Sequence, residues 1–176
     1  MEALVVVLAL VALLALVLTW SAGRLDHLHS RVERMAATLD AELLRRSAAT
    51  LDLATSGVLD PATSMVLADA AHRARTAGPG EREEAENALT EALLVAFADD
   101  SETHALERDA EAAARIAEVA TASRRVQTAR RLHNDTVAVT RVRRRAPFVR
   151  AFHLAGRAVV PEPSEFDDRV PPVFQR

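Results

Sequence analysis

The 176-residue chain has no cysteine, no lysine and no tyrosine, and its aromatic residues amount to five phenylalanines and one tryptophan. Without cysteine there is no disulfide and no thiolate metal ligand, and the redox compartment leaves no trace. The missing lysine and tyrosine, beside abundant alanine and arginine, look like high-GC coding bias more than a functional choice. A formal net charge of -3 points neither to a nucleic-acid binder nor to an acidic tail. Bound nucleic acid would also want interleaved aromatics or a docking motif, and neither is here. There is no Gly-rich phosphate loop, no Gly-x-Ser-x-Gly elbow and no His-Glu-x-x-His. Serine, histidine and aspartate occur on helix surfaces, where they are usually just solvated, so no enzyme activity, catalytic residue or cofactor is expected.

Few aromatics with much Ala, Leu, Arg and Glu is the composition of long helices, because these side chains lose little freedom there. No alternating strand segment is present. The expected fold class is all-α: a transmembrane helix followed by an antiparallel up-down bundle of four helices, the first and last long.

Ala3 to Leu18 carries no polar side chain. About 20 apolar residues in helix cross a bilayer core of about 30 Å, so Leu4 to Ala22 is just long enough to span. Only Met1 and Glu2 precede it, whereas Arg24, Arg31, Arg34, Arg45 and Arg46 follow. Basic residues are retained on the cytoplasmic side, which places the N-terminus outside and the body within the cell. Ser21-Ala22-Gly23 offers small residues for a cleaved signal peptide. Against cleavage stand the missing positive n-region, the acidic Glu2 and an apolar run longer than the roughly 7 to 15 residues of an h-region. Trp20 reads as an interfacial aromatic.

Beyond the anchor (1–23), a bundle over 24–157 and a flexible Pro-containing tail over 158–176 are expected. Leu25, Leu28, Val32, Met35 and Leu39 recur at alternating steps of three and four, one narrow apolar seam on a helix. The seam suits bundle core better than a dimer interface. No glycine or proline interrupts Arg24 to Ser56, and Gly57 is the expected stop. Asp60-Pro61 starts a second helix, with aspartate as N-cap and proline at the first helical position, to about Ala77. After Gly78-Pro79-Gly80, a third helix spans Glu81 to Ala98, its first-turn glutamates suiting the helix dipole.

After Asp99-Asp100-Ser101, a fourth helix is expected to run to about Arg145. Leu106, Ala110, Ala113, Ile116 or Ala117, Ala120 and Ser123 form its small-residue face, and Pro147 ends it. Phe148 to Gly156 suits a short amphipathic turn of helix. The prolines at 161, 163, 171 and 172 make the tail extended or disordered. At about 1.5 Å per residue, the first helix descends roughly 50 Å and the fourth rises roughly 65 Å. That length returns the end of the fourth helix toward the bilayer.

Charge fits this placement. Residues 81 to 118 are strongly acidic, while 124 to 157 hold Arg124, Arg125, Arg130, Arg131, Arg141, Arg143, Arg144, Arg145, Arg150 and Arg157 against Asp135 alone. A polybasic segment gains about 1 kcal/mol per residue at an anionic leaflet. Arg141, Arg143, Arg144 and Arg145, with Phe148 and Phe152 inserting beside them, are the membrane-surface candidates. A solvated helix face is the plain alternative.

Val126 to Val137 (VQTARRLHNDTV) looks like the late-helix pattern of the LemA family: an apolar residue, Ala-Arg, then Tyr-Asn followed by valine. Leu39 to Arg46 (LDAELLRR) resembles that family's acidic-then-basic stretch. Pro147, Ala155-Gly156 and Phe166 follow in similar order. The chain departs at His133, where the family favours tyrosine, at Ser47 to Leu51, and in lacking a second Tyr-Asn. The match covers the plan from the anchor to about Phe166, with Arg45, Arg46, Ala129, Arg130, Asn134 and Asp135 at motif positions. The resemblance implies a membrane anchor plus an antiparallel helical bundle inside the cell, and a poorly defined activity.

Metal binding finds little support. Asp69-x-x-His72 has helical ligand spacing, but a bundle di-metal site needs a second pair and two more glutamates. His27-x-His29 points to different helix faces. The expectation is a cytoplasmic, non-enzymatic scaffold or adaptor whose partners are the bilayer, anionic lipids among them, and other membrane proteins or a second copy. An extracytoplasmic coiled-coil organiser, dimeric through the seam, is the alternative. An enzyme or transport component would need a partner subunit to supply the chemistry.

Overall fold

A computed structural model describes residues 1–152 and 158–175. Every regular element among them is helical: α1 Glu2–Thr55, α2 Pro61–Thr76, α3 Arg82–Ala96, α4 Asp100–Leu106, α5 Ala110–Arg145 and α6 Pro147–Ala151, with a 3-10 turn at Pro172–Gln175. Six helices replace the four expected. His153 to Arg157, which include the Ala155-Gly156 pair and the far end of the Phe148 to Gly156 turn, lie outside the described residues.

The local signals act as their chemistry dictates. Asp60 is extended, and its Oδ1 accepts from the N–H groups of Ala62 and Thr63 at 2.9 and 3.1 Å, with Pro61 opening α2. Hydrogen bonds from the Thr63 side chain and then from its N–H hold the Asp60 carboxyl below its ordinary value. Gly57 follows α1 with φ of 80°, the left-handed conformation that glycine adopts without strain. Pro147 ends α5 and begins α6 as its first residue.

The fourth helix is broken. Asp109 Oδ1 accepts from Glu111 N and Ala112 N at 2.9 and 3.0 Å and so caps a new helix, while Asp109 N closes a tight turn onto Leu106 O. Of the anticipated small-residue face, Ile116, Ala120 and Ser123 are buried, Leu106 and Ala113 are half-buried and Ala110 is exposed; Ala112, Val119 and Val126 are buried beside them.

α1 begins with the apolar run, which is wholly exposed within the chain, and is long and apolar enough to cross a membrane. The chain divides into two compact units, Met1–Ala36 with His133–Pro163, and Ala37–Leu132 with Ser164–Arg176. In the first, Leu25 and Val32 of α1, Val137 and Thr140 of α5 and Val149 of α6 are buried. In the second, the end of α1, helices α2 and α3 and the first half of α5 close around Leu53, Leu67, Leu89, Leu93, Ile116 and Val119. Leu39 is buried there with Leu43, Val126, Ala129 and Phe166. Leu25, Val32 and Leu39 of the seam are thus covered within a single chain, and Leu28 and Met35 are half-buried.

Residues 158–171 lack regular structure, as the prolines lead one to expect, but part of the tail is packed. Residues 164–175 run as an extended strap within the second unit, with Phe166, Val170, Val173 and Phe174 buried. The prolines exclude helix, yet the apolar side chains between them still find a core. Phe174 packs on Phe97 with ring centroids 4.9 Å apart.

Candidate functional site

The anticipated membrane-surface residues lie in the first unit, and they are not equivalent. Trp20 is exposed, with the Arg24 guanidinium 4.8 Å from its ring centroid. Arg143 and Arg145 are exposed and Arg141 is half-buried. Arg144 instead holds the chain together, donating to Ala158 O at 2.7 Å, Val159 O at 3.2 Å and His29 Nε2 at 2.7 Å. An arginine only donates, so His29 accepts at Nε2 and turns its Nδ1–H to Leu25 O at 2.9 Å. The basic end of α5 is thereby fixed beside residue 29 of α1. Phe152 is exposed, and the side chain of Phe148 lies outside the described residues. His133 is buried, with Nε2 against Glu162 O at 3.3 Å.

The family-motif positions divide. Asp135 is exposed and Asn134 half-buried, and Arg45 pairs at the surface with Glu42. Ala129 and Arg130 instead meet the strap, and Arg46 reaches it only through Thr90. Arg46 is 1% exposed and forms an ion pair with Glu86, also 1% exposed. Its other terminal nitrogen donates to Thr90 Oγ1 at 3.1 Å. Burial pushes the Glu86 carboxyl up, and the Arg46 charge opposes that shift. Thr90 Oγ1 donates onward to Asp167 O at 2.7 Å, joining α1, α3 and the strap in one network.

Two ladders of side chains hold the strap's main chain. From α3, Glu83 and Asn87 accept from the N–H groups of Glu165 and Asp167 at 2.7 and 2.6 Å, and Thr90 completes a series spaced by four and three. From α5, Arg124 donates to Phe174 O, Gln127 to Asp168 O at 2.8 Å and Arg130 to Ser164 O at 3.5 Å. Arg130 also pairs with the Asp168 carboxylate at 2.8 Å and lies 5.6 Å from the Phe166 ring centroid. A hydrogen bond from Arg169 holds the Asp167 carboxyl below its ordinary value. Side chains of α3 and α5 thus hold the strap's main chain, and Asp168 and Phe166 pack against Arg130.

Sequence reasoning missed Glu86, Asn87, Thr90, Gln127 and Asp168, and took Glu83 and Arg124 only as part of a helix's acidic first turn and of a basic stretch. The signal available was polar residues at helical spacing on two helices, beside a tail with apolar residues at 166, 170 and 174.

Among the described residues no three His, Asp or Glu side chains gather as a metal site. No family model, no curated protein and no solved structure matches the chain.

Proposed function

We propose that this is a single-pass, membrane-anchored helical scaffold or adaptor of LemA-like plan, its antiparallel bundle lying at the cytoplasmic face of a bacterial membrane. The observation that carries the reading is the Arg144 to His29 contact beside the exposed apolar run. It ties the basic end of α5 to a point on α1 a few turns past the candidate span. Arg141, Arg143 and Arg145 then face anionic headgroups, with a gain of about 1 kcal/mol per residue near the surface. Trp20 with Arg24 stands at the same interface. The excess of arginine after the span supports the inward orientation.

The test uses the full chain in isolated membranes. It stays in the pellet through alkaline extraction, and Leu10→Arg with Leu14→Arg releases it. Co-purifying anionic lipid falls in an Arg141→Glu, Arg143→Glu, Arg145→Glu variant. Release of the unaltered chain by alkali contradicts the anchor, and unchanged lipid in the triple variant contradicts the headgroup contact.

A further inference from the structure

We infer that Val159 and Val160 form an apolar tip that enters the lipid headgroup layer, and that Arg144 is the residue that positions it. The inference rests on the anchored reading above and adds a second contact with the bilayer, outside α1 and outside the exposed arginines of α5. All of its residues belong to the first unit.

The tip is turned outward and fixed there. Val159 is 86% and Val160 48% exposed, whereas Val137 and Val149 of the same unit are covered. A single exposed valine is ordinary. Two in succession, on a segment without regular structure whose main chain is pinned, make a defined surface. Arg144 pins it with both terminal nitrogens: Nη2 donates to Ala158 O at 2.7 Å, while Nη1 donates to Val159 O at 3.2 Å and to His29 Nε2 at 2.7 Å. One guanidinium thus ties the tip to α1. Pro161 follows directly, and its fixed φ limits the segment further. A tip ordered in advance loses less conformational freedom on entering lipid than a loose loop does.

The tie to α1 sets the level. α1 is one unbroken helix from Glu2, and His29 lies seven residues past Ala22, the expected end of the span. At about 1.5 Å per residue that is about 10 Å. The headgroup zone adds roughly 5 to 8 Å on each side of the hydrocarbon core. Arg144 therefore stands at the outer edge of the headgroups, with the two valines beside it in reach of them.

Charge selects lipid as the occupant. Between Asp135 and Glu162 the sequence has no carboxylate and carries Arg141, Arg143, Arg144, Arg145, Arg150 and Arg157. Around His29, Arg24, Arg31 and Arg34 outnumber Asp26 and Glu33. An anionic lipid surface offers phosphates to the guanidiniums and apolar contact to the valines at one place. An apolar groove on a protein would take the valines and leave the arginines without counter-charge.

The test uses the full chain, naturally free of cysteine, with Ala158→Cys carrying an environment-sensitive fluorophore, in vesicles of phosphatidylcholine and phosphatidylglycerol. Quenching by lipids spin-labelled near the headgroup is compared with quenching by lipids labelled near the chain ends. The probe is expected to be quenched several-fold more by the headgroup label, and to lose that quenching in Val159→Asp with Val160→Asp and in Arg144→Gln. A probe that neither lipid quenches overturns the tip, as does quenching that both variants leave unchanged. A second chain labelled at Leu10→Cys reports the span separately. Its quenching by the chain-end label while the Ala158 probe stays unquenched refutes the tip and leaves the anchor standing; its own failure refutes both.

Discussion

Arg46 and Glu86, forty residues apart in sequence, form an ion pair from which water is almost wholly excluded, with Thr90 as its third member. Buried pairs owe their persistence to mutual compensation, since each charge alone in the core is far costlier than the pair. Here the network also reaches the strap, because the Thr90 hydroxyl donates a hydrogen bond to Asp167 O.

Breaking that pair from one side leaves an uncompensated charge. Glu86→Leu should cost about 3–5 kcal/mol, whereas Arg46→Met with Glu86→Leu should recover most of the loss. Urea unfolding in mild detergent, followed by far-ultraviolet circular dichroism, measures both. Equal losses in the single and double variants would show that the pair stabilises in its own right.

Proton linkage at Glu86 has a definite sign. Its folded carboxyl sits above the ordinary 4.5, so the folded chain binds this proton more tightly than the unfolded chain does. The contribution is fully present below that ordinary value and is lost as pH rises through the folded one. Asp60 and Asp167, held below 3.8, have the opposite sign and lose their contribution as pH falls through their folded values. Stability measured from acid to neutral pH should therefore decline less in Glu86→Gln than in the unaltered chain. Parallel curves would contradict the shift.

The strap counts as core. Phe174→Ala should cost about 3–5 kcal/mol, as for other buried phenylalanines. Gln175→Ala, at an exposed neighbour, should stay within about 0.5 kcal/mol. Equal small effects in thermal unfolding would mean that the strap contributes no core.

Gly57 separates conformation from crowding. A Cβ there meets nothing within 4 Å, yet φ is 80°. Gly57→Ala should cost about 1 kcal/mol through the left-handed conformation alone, and Gly57→Asn less, since asparagine tolerates that region. A neutral Gly57→Ala in the same unfolding assay would show that the turn relaxes.

How much of this was legible follows the range of the interactions. The apolar run, Asp60-Pro61 and Gly57 act through neighbours within a few residues, and each element boundary appears near where those signals place it. Asp109 carries the same capping chemistry as Asp60, but without a following proline it is hidden in an alanine-rich, helix-favouring stretch. The strap was illegible for another reason. Its partners Glu83, Asn87 and Thr90 lie some eighty residues away in sequence. Prolines announce that a segment is not helical, but they do not say whether it is docked. Arg46 and Arg130 were singled out by family resemblance, and their roles in the ion pair and at the strap came only from the fold.

The central claim is a membrane-anchored bundle inside the cell, and sidedness tests it most directly. Ser101→Cys places one thiol at an exposed position of a cysteine-free chain. Intact cells are then treated with a membrane-impermeant thiol reagent. Protection in intact cells with labelling after lysis is the expected result. Labelling in intact cells would contradict the account and place the bundle outside the cytoplasm.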